Sequence, residues 1–272
     1  MEPPDQPQQE FLEALWEYYA RSARDTLPWR QARADGIFDP YGIMVSELML
    51  QQTQVSRVIP KYESFLKQFP DVQALAGAEL GDVLRAWQGL GYNRRAKFLW
   101  LAARELAAMP HFPDNETDLT RLPGIGKNTA GAIQAYAFNR PAVFVETNIR
   151  TVYIHHFFSG EQEITDNDIS NLVAQTLDQE NPREFYWALM DYGSYLKTTV
   201  GNLSKASKHY TKQSAFHGSR RQIRGQVLRE LGTQIRTDSE LRASVHDERL
   251  QEVLDDLLKE GLIRKNGSSY SL

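Results

Sequence analysis

Leu122-Pro123-Gly124-Ile125-Gly126, followed by Glu146-Thr147-Asn148 at the mouth of a predicted helix, is the stretch on which the reading of this chain turns. A Pro-Gly-x-Gly turn between two helical patterns leaves backbone N–H groups unpaired and pointing outward, a concavity that suits a phosphate oxygen. The same turn serves equally well as a plain helix connector, because glycine is common at helix ends. The surrounding residues have to decide between the two.

Composition narrows the field. A chain of 272 residues is long enough for one large or several small domains with a real core. Its formal charge of −4 provides no global basic field, so a nucleic-acid surface has to be a local patch. The absence of cysteine excludes disulfides, thiolate metal sites, iron–sulfur ligation and cysteine nucleophiles. No apolar run approaches about 18 residues, and Met1-Glu2-Pro3-Pro4-Asp5 lacks the charged-then-apolar pattern of a signal peptide. The expectation is a soluble, cytoplasmic protein with no membrane partner.

Apolar residues recur at helical spacing almost everywhere before residue 260. Phe11, Leu12, Leu15, Trp16 and Tyr19 form one stripe, broken by Leu27-Pro28-Trp29-Arg30. A helix from Tyr41 to Ile59, ending at Pro60, is predicted from Met44, Leu48, Val55 and Ile59. Further helices follow at 62–69, 72–78, 80–87 and 94–109, each closed by Pro or Gly. Segments 117–122 and 128–138 flank the turn as a helix-hairpin-helix. Val143-Phe144-Val145 then leads into Thr147 as the expected N-cap of a helix carrying Ile149, Val152, Tyr153 and His156. Helices at 166–177 and 183–196 complete an all-α core. His155 and His156 do not share a helical face, which argues for packing rather than a metal site.

Composition shifts from about Ser204. Lys205, Lys208, Lys212, Arg220, Arg221, Arg224 and Arg229 come with no acidic residue among them, a DNA-contacting patch or a solvated linker. Three helices at 223–231, 238–245 and 247–260, then an Asn266-Gly267 hairpin, describe a small winged-helix-like domain. Its third helix carries Asp247, Glu248, Glu252, Asp255, Asp256 and Glu260, which phosphates would repel, so packing or protein contact is expected of it.

Two carboxylates carry the candidate chemistry. Glu47 lies among Met44, Leu48 and Leu50, with Gln51, Gln54 and Val58 on the same face of the predicted helix, where desolvation favours a held proton. Glu146 sits at a helix N-terminus, where the dipole favours the ionised form. One protonated and one ionised acid is the division of labour that glycosidic cleavage needs. A surface glutamate and a helix-capping glutamate remain the plainer alternative.

These residues, together with Leu27-Pro28-Trp29-Arg30, Pro40-Tyr41, the block Ser46-Glu47-Leu48-Met49-Leu50-Gln51-Gln52-Thr53-Gln54-Val55, Gly89-Leu90-Gly91-Tyr92, Thr129-Ala130-Gly131-Ala132-Ile133 and Met190-Asp191-Tyr192-Gly193, resemble the helix-hairpin-helix DNA glycosylases. The nearest resemblance is to the MutY-type adenine DNA glycosylases. It implies a two-lobed helix-hairpin-helix core, with a six-helix barrel lobe at 25–140 and a second lobe from 1–24 plus 141–215; the winged-helix-like domain read from the residues follows at 216–272. By resemblance Glu47 protonates the leaving base, while Gln51, Gln52 and Tyr92 wedge into the duplex beside a flipped nucleotide. Trp29, Arg30, Asn128 and Asn148 line the base pocket, and Asn148 orients the catalytic carboxylate. Gly124, Gly126 and Lys127, with Lys205, Lys208 and Lys212, meet phosphate, and the hairpin carbonyls hold a monovalent cation.

The chain departs from that pattern in four places. The catalytic aspartate becomes Glu146, one methylene longer, and a displacement of about 1 Å costs on the order of 10²-fold in rate where geometry is tight. The nucleophilic lysine of bifunctional relatives becomes Asn128, whose amide forms no Schiff base, so no lyase activity is expected. The iron–sulfur ligand spacing falls on Lys197, Ser204, Ser207 and Gln213, none of them a ligand, so no cluster and no resident metal are expected. The C-terminal segment is too short for the Nudix-like domain that reads 8-oxoguanine. The resulting expectation is a monofunctional DNA glycosylase in base excision repair, monomeric and nucleoid-associated, acting on double-stranded DNA. Its first substrate is adenine opposite guanine or 8-oxoguanine. A uracil, thymine or modified-pyrimidine glycosylase, and an inactive lesion-binding module, are the alternatives.

Overall fold

Helical spacing in the sequence becomes helix almost throughout the computed structural model, which describes residues 5–208, 210–212 and 215–272. Met1–Pro4, on which the signal-peptide argument drew, and Gln213 lie outside the described residues. In chain order the elements are α1 (Gln6–Ser22), a 3-10 turn (Pro28–Arg30), α2 (Pro40–Leu50), α3 (Val55–Gln68), α4 (Val72–Ala76), α5 (Leu80–Ala86), α6 (Arg94–Leu106) and α7 (Glu116–Leu119). There follow α8 (Lys127–Phe138), α9 (Thr147–Phe157), α10 (Asp166–Thr176), α11 (Pro182–Thr199), a second 3-10 turn (Leu203–Ala206), α12 (Arg220–Thr233), β1 (Arg236–Thr237), α13 (Asp238–Ser244), α14 (Leu250–Lys259), β2 (Arg264–Asn266) and β3 (Ser269–Ser271). None of the described helices is long and apolar enough to cross a membrane.

The chain divides into two units. The first comprises Met1–Met44, Pro113–Arg121 and Ile125–Lys212. Asp5 opens α1 with a capping box: its carboxylate accepts from the Gln8 N–H at 3.0 Å, and the Gln8 side chain accepts from the Asp5 N–H at 3.2 Å. Phe11 and Leu15, one turn apart, are fully buried, and the Phe11 ring packs 5.2 Å from Tyr153 of α9 and 5.3 Å from His156. His156 also meets the Tyr192 hydroxyl at 3.1 Å, and burial and His155 pull its pKa down to about 4. The packing reading of this histidine pair therefore holds. Asp191 on α11 accepts from Arg24 at 2.6 Å and from both terminal nitrogens of Arg30 at 2.8 Å. This charge cluster ties the segment after α1 to α11.

The second unit comprises Val45–Phe112, Leu122–Gly124 and Gln213–Leu272. Here the structure corrects the single helix expected from Tyr41 to Ile59. Helix α2 stops at Leu50, the chain turns through Gln52 in the left-handed region (φ 53°), and α3 starts at Val55. The cause is Arg95, from the first turn of α6. One of its terminal nitrogens donates to the carbonyls of Leu48 (2.7 Å), Met49 (3.1 Å) and Gln51 (2.6 Å). The other donates to the carbonyls of Leu90 (3.2 Å) and Gly91 (3.0 Å) and to Thr53 Oγ1 (3.2 Å). Helix-end carbonyls that another turn of α2 would have used are satisfied from outside it. Nor does Pro60 end α3, because its cost is a local lost hydrogen bond while Val58, Tyr62 and Phe65 bury one face on both sides of it.

Residues 220–272 contain the expected helices and hairpin, with an added strand. The sheet order is β1-β3-β2, antiparallel, and Tyr270 pairs with Arg236 on one side and Lys265 on the other. Ile223, Val227, Leu241, Val253, Leu257 and Tyr270 fill the core of this segment. The acidic face of α14 meets the basic face of α12: Arg220 pairs with Asp256 at 2.7 Å, and Arg224 pairs with Glu260. Asp256 and Glu260 are thus engaged by basic residues of the neighbouring helix. The helix expected from Asp247 begins at Leu250, since Asp247 binds the Arg249 side chain at 2.8 Å and its N–H at 2.9 Å.

Arg95 is buried, and burial lowers its pKa to about 10, so it stays cationic at neutral pH among carbonyl dipoles. Arg95→Met strips partners from five carbonyls at once and is expected to cost at least about 3 kcal/mol in urea unfolding, with the m-value unchanged.

Candidate active site and nucleic-acid interface

Glu146 is fixed from both sides along the chain. Upstream, Phe144 lies on α8 where Gly131 has no side chain, since a Cβ there would stand 2.8 Å from the Phe144 ring. Phe144 also stacks on Tyr186 with centroids 4.1 Å apart. Asn128, in the first turn of α8, donates from Nδ2 to the Val145 carbonyl at 2.9 Å. Downstream, the first turn of α9 lies against α11 at Gly193, where a Cβ would come within 2.5 Å of the Asn148 carbonyl oxygen. Gly131 therefore admits an aromatic side chain, and Gly193 a close backbone approach.

The N-cap of α9 is Glu146, not the expected Thr147, and its side chain makes no capping hydrogen bond. That removes the capping alternative. Burial pushes the Glu146 carboxyl above the ordinary carboxylate range, against the pull of Lys197 and Arg150. Desolvation thus works against the ionised form that the helix N-terminus favours, and the two cations work for it. Arg150 is itself held by Asp166 through two hydrogen bonds of 2.9 Å. Asn148 accepts at Oδ1 from Lys197 Nζ at 2.6 Å and offers Nδ2 to Met190 Sδ at 3.8 Å.

Glu47 belongs to α2, whose residues from Tyr41 to Met49 are all buried, and is itself 8% exposed. This excludes a surface glutamate. Gln51 and Gln52 are exposed in the turn after α2, so the face shared with Val58 on one helix does not exist. Gly89, Gly91 and Tyr92 all have positive φ (95°, 74° and 46°), which explains the Gly-Leu-Gly-Tyr sequence. Arg95 holds this turn and the Gln51–Thr53 turn together. Tyr92 is 39% exposed, and its hydroxyl accepts from Arg221 at 2.8 Å.

Gly124 has φ 79°, and a Cβ on it would stand 2.6 Å from that of Phe98, so only glycine fits there. Gly126 is the exposed N-cap of α8, followed by exposed Lys127. Lys205, Lys208 and Lys212 are exposed as well. Of the base-pocket candidates, the Arg30 fork is engaged by Asp191, and the Asn128 amide donates to the Val145 backbone. Trp29 is buried beside Arg30 in the 3-10 turn.

Residues 45–176 match the HhH-GPD superfamily, base excision DNA repair protein. Over 218 residues the chain is 33% identical to the adenine DNA glycosylase of Buchnera aphidicola subsp. Baizongia pistaciae, covering 76% of this chain and 60% of that protein. Over 189 residues it is 36% identical to the adenine DNA glycosylase of Mycobacterium tuberculosis, covering 68% and 60%. The chain belongs to the HhH-GPD superfamily. It spans 60% of the length of these two relatives. Its fold aligns with the structure of a thermostable thymine-DNA glycosylase at a TM-score of 0.63 and 24% identity, over 75% of this chain and 97% of that one.

The iron–sulfur cluster implied by the resemblance does not fit this HhH-GPD chain. Lys197 binds Asn148, Ser204 meets Thr151 at 3.0 Å, and Ser207 forms a parallel bridge with Ile164. The fourth position, Gln213, lies outside the described residues. Among the described residues no group of three His, Asp or Glu side chains is placed to hold a metal ion. The sequence carries no local signal for the role of Arg95, Arg221 stands there only as one cation of a basic run, and Lys197 only as a missing cysteine.

A carboxyl raised by burial lowers stability once pH exceeds its unfolded value of about 4.3. Glu146→Gln removes that cost. The variant is expected to melt at a higher temperature than the wild type at pH 7.5, and the difference is expected to vanish as pH falls to about 4.

Proposed function

We propose that this protein is a monofunctional DNA glycosylase that hydrolyses the N-glycosidic bond of a base flipped out of double-stranded DNA, adenine in a mismatch being its first substrate. The observation that carries the reading is Glu146, an N-cap whose side chain makes no capping hydrogen bond, which is raised by burial and has two cations acting on it. Such an arrangement costs stability, and it makes sense where a negative charge has work to do. In this reading Glu47 gives its proton to the departing base, and Glu146 stabilises the oxocarbenium-like sugar and aligns the attacking water. The adenine DNA glycosylases that the chain resembles in sequence support adenine as the base.

DNA contacts follow from the exposed groups. Gly126 and Lys127 at the start of α8 offer N–H groups and a cation to phosphate, and Lys205, Lys208 and Lys212 add a second basic stretch. Gln51, Gln52 and Tyr92 stand on two turns braced by Arg95, a rigid base for side chains that enter a duplex. The absence of a lyase step follows from Asn128, which has no amine to attack the sugar and is committed to the Val145 carbonyl.

Single-turnover reactions on labelled duplexes carrying A:8-oxoguanine, A:G, U:G and T:G test the reading. Excision of adenine is expected, with strand cleavage appearing only after hot alkali and no adduct trapped by borohydride. Glu47→Gln and Glu146→Gln are each expected to lose about 10² to 10⁴-fold in rate with DNA affinity retained. Undiminished excision by both variants rejects the mechanism. Selective removal of uracil or thymine replaces the substrate, and binding without cleavage on all four duplexes rejects the activity.

A further inference from the structure

Lys197 lies in the last turn of α11, one turn after Gly193 and on the same face. Gly193 lets the Asn148 backbone approach, and Lys197 then reaches the Asn148 side chain, with Nζ to Oδ1 at 2.6 Å. The lysine is half-buried, and its hydrogen bond goes to a neutral amide rather than a carboxylate. Arg150, the other cation acting on Glu146, has its guanidinium matched by Asp166 at the start of α10. The charged groups that face Glu146 are thus Lys197 from α11 and Arg150 from α9, the latter largely neutralised by its own partner. The influence is mutual, since Glu146 raises the pKa of Lys197 while burial and Arg150 lower it.

We propose that Lys197 is a positioning residue for the Glu146 carboxylate, holding Asn148 in place and supplying from α11 the positive charge that keeps the carboxylate anionic. In the related glycosylases the resemblance gives this position to a cluster-ligating cysteine. Here the same point on α11 delivers a charge to the N-terminus of α9. A lysine fits the task because its flexible stem carries a compact charge past the helix surface, and the single donor contact to Asn148 fixes where that charge sits. The inference rests on the proposed catalytic use of Glu146, but its electrostatic part is measurable without a substrate.

The test uses the full chain with Lys197→Met, Lys197→Gln and Lys197→Arg. In protein labelled with ¹³C at the glutamate carboxyls, the Glu146 resonance is identified by its absence from Glu146→Gln and followed through a pH titration. Lys197→Met and Lys197→Gln are expected to move its titration upward by about one pH unit, and Lys197→Arg to restore it. Lys197→Gln retains a donor for Asn148, so it separates loss of charge from loss of the hydrogen bond. In single-turnover excision the acidic limb of the rate profile is expected to move upward in step, with DNA affinity unchanged within about twofold. Glu146 titrating as in the wild type in both neutral variants overturns the proposal, as does a rate loss uniform across pH. A wild-type protein that excises none of the bases overturns the proposed function alone, and the carboxyl titration still decides the role of Lys197.

Discussion

The close approach of α9 to α11 at Gly193 is the constraint on which the candidate site depends. With hydrogen in place of a side chain there, the Asn148 backbone seats against α11, and a Cβ at that point would overlap its carbonyl oxygen. From that contact follow the position of the α9 N-terminus, the reach of Lys197 to the Asn148 amide and the placement of Glu146 immediately before the first turn. Gly131 on α8 performs the matching service upstream by admitting Phe144. Two glycines on two helices therefore help to place a carboxylate on a third element.

Electrostatics in the first unit are arranged around that acid. Burial disfavours the anion, Arg150 is diverted by Asp166, and Lys197 brings a cation from a neighbouring helix. The outcome is a carboxyl whose charge depends on tertiary neighbours more than on the helix dipole, which is weak beyond a terminus and easily outweighed by desolvation. In the segment that follows α11, Ser204 bonds to Thr151, and Ile164 forms a bridge with Ser207. These hydrogen bonds tie the described part of that segment back onto the first unit.

The second unit has its own keystone. Arg95 gathers carbonyls from the end of α2 and from the Gly89–Tyr92 turn, so the exposed Gln51, Gln52 and Tyr92 stand on backbone braced by one buried guanidinium. Arg221 of α12 reaches the Tyr92 hydroxyl, which links the C-terminal segment to the same turn. Asp256 and Glu260 pair with Arg220 and Arg224. What reads as a run of opposing charge in sequence is the seam between two packed helices.

Helical periodicity, the Pro-Gly-x-Gly turn and the glutamate and glutamine block were legible from the chain alone, because each is a local pattern with a local physical cause. That sufficed for the all-α class and for the family. The break after Leu50, the passage of α3 through Pro60 and the shift of an N-cap from Thr147 to Glu146 were not legible, because each is decided by partners far away in sequence. The partners of Arg30 and Asn128, Asp191 and the Val145 carbonyl, were likewise not legible, and Lys197 looked like an absence until it met Asn148. A sequence determines which residues carry charge, hydrogen-bond donors and small volume. Only the tertiary structure decides which of those donors are consumed internally and which charges act on one another, because burial and distance, not residue type, set the energy of a charge.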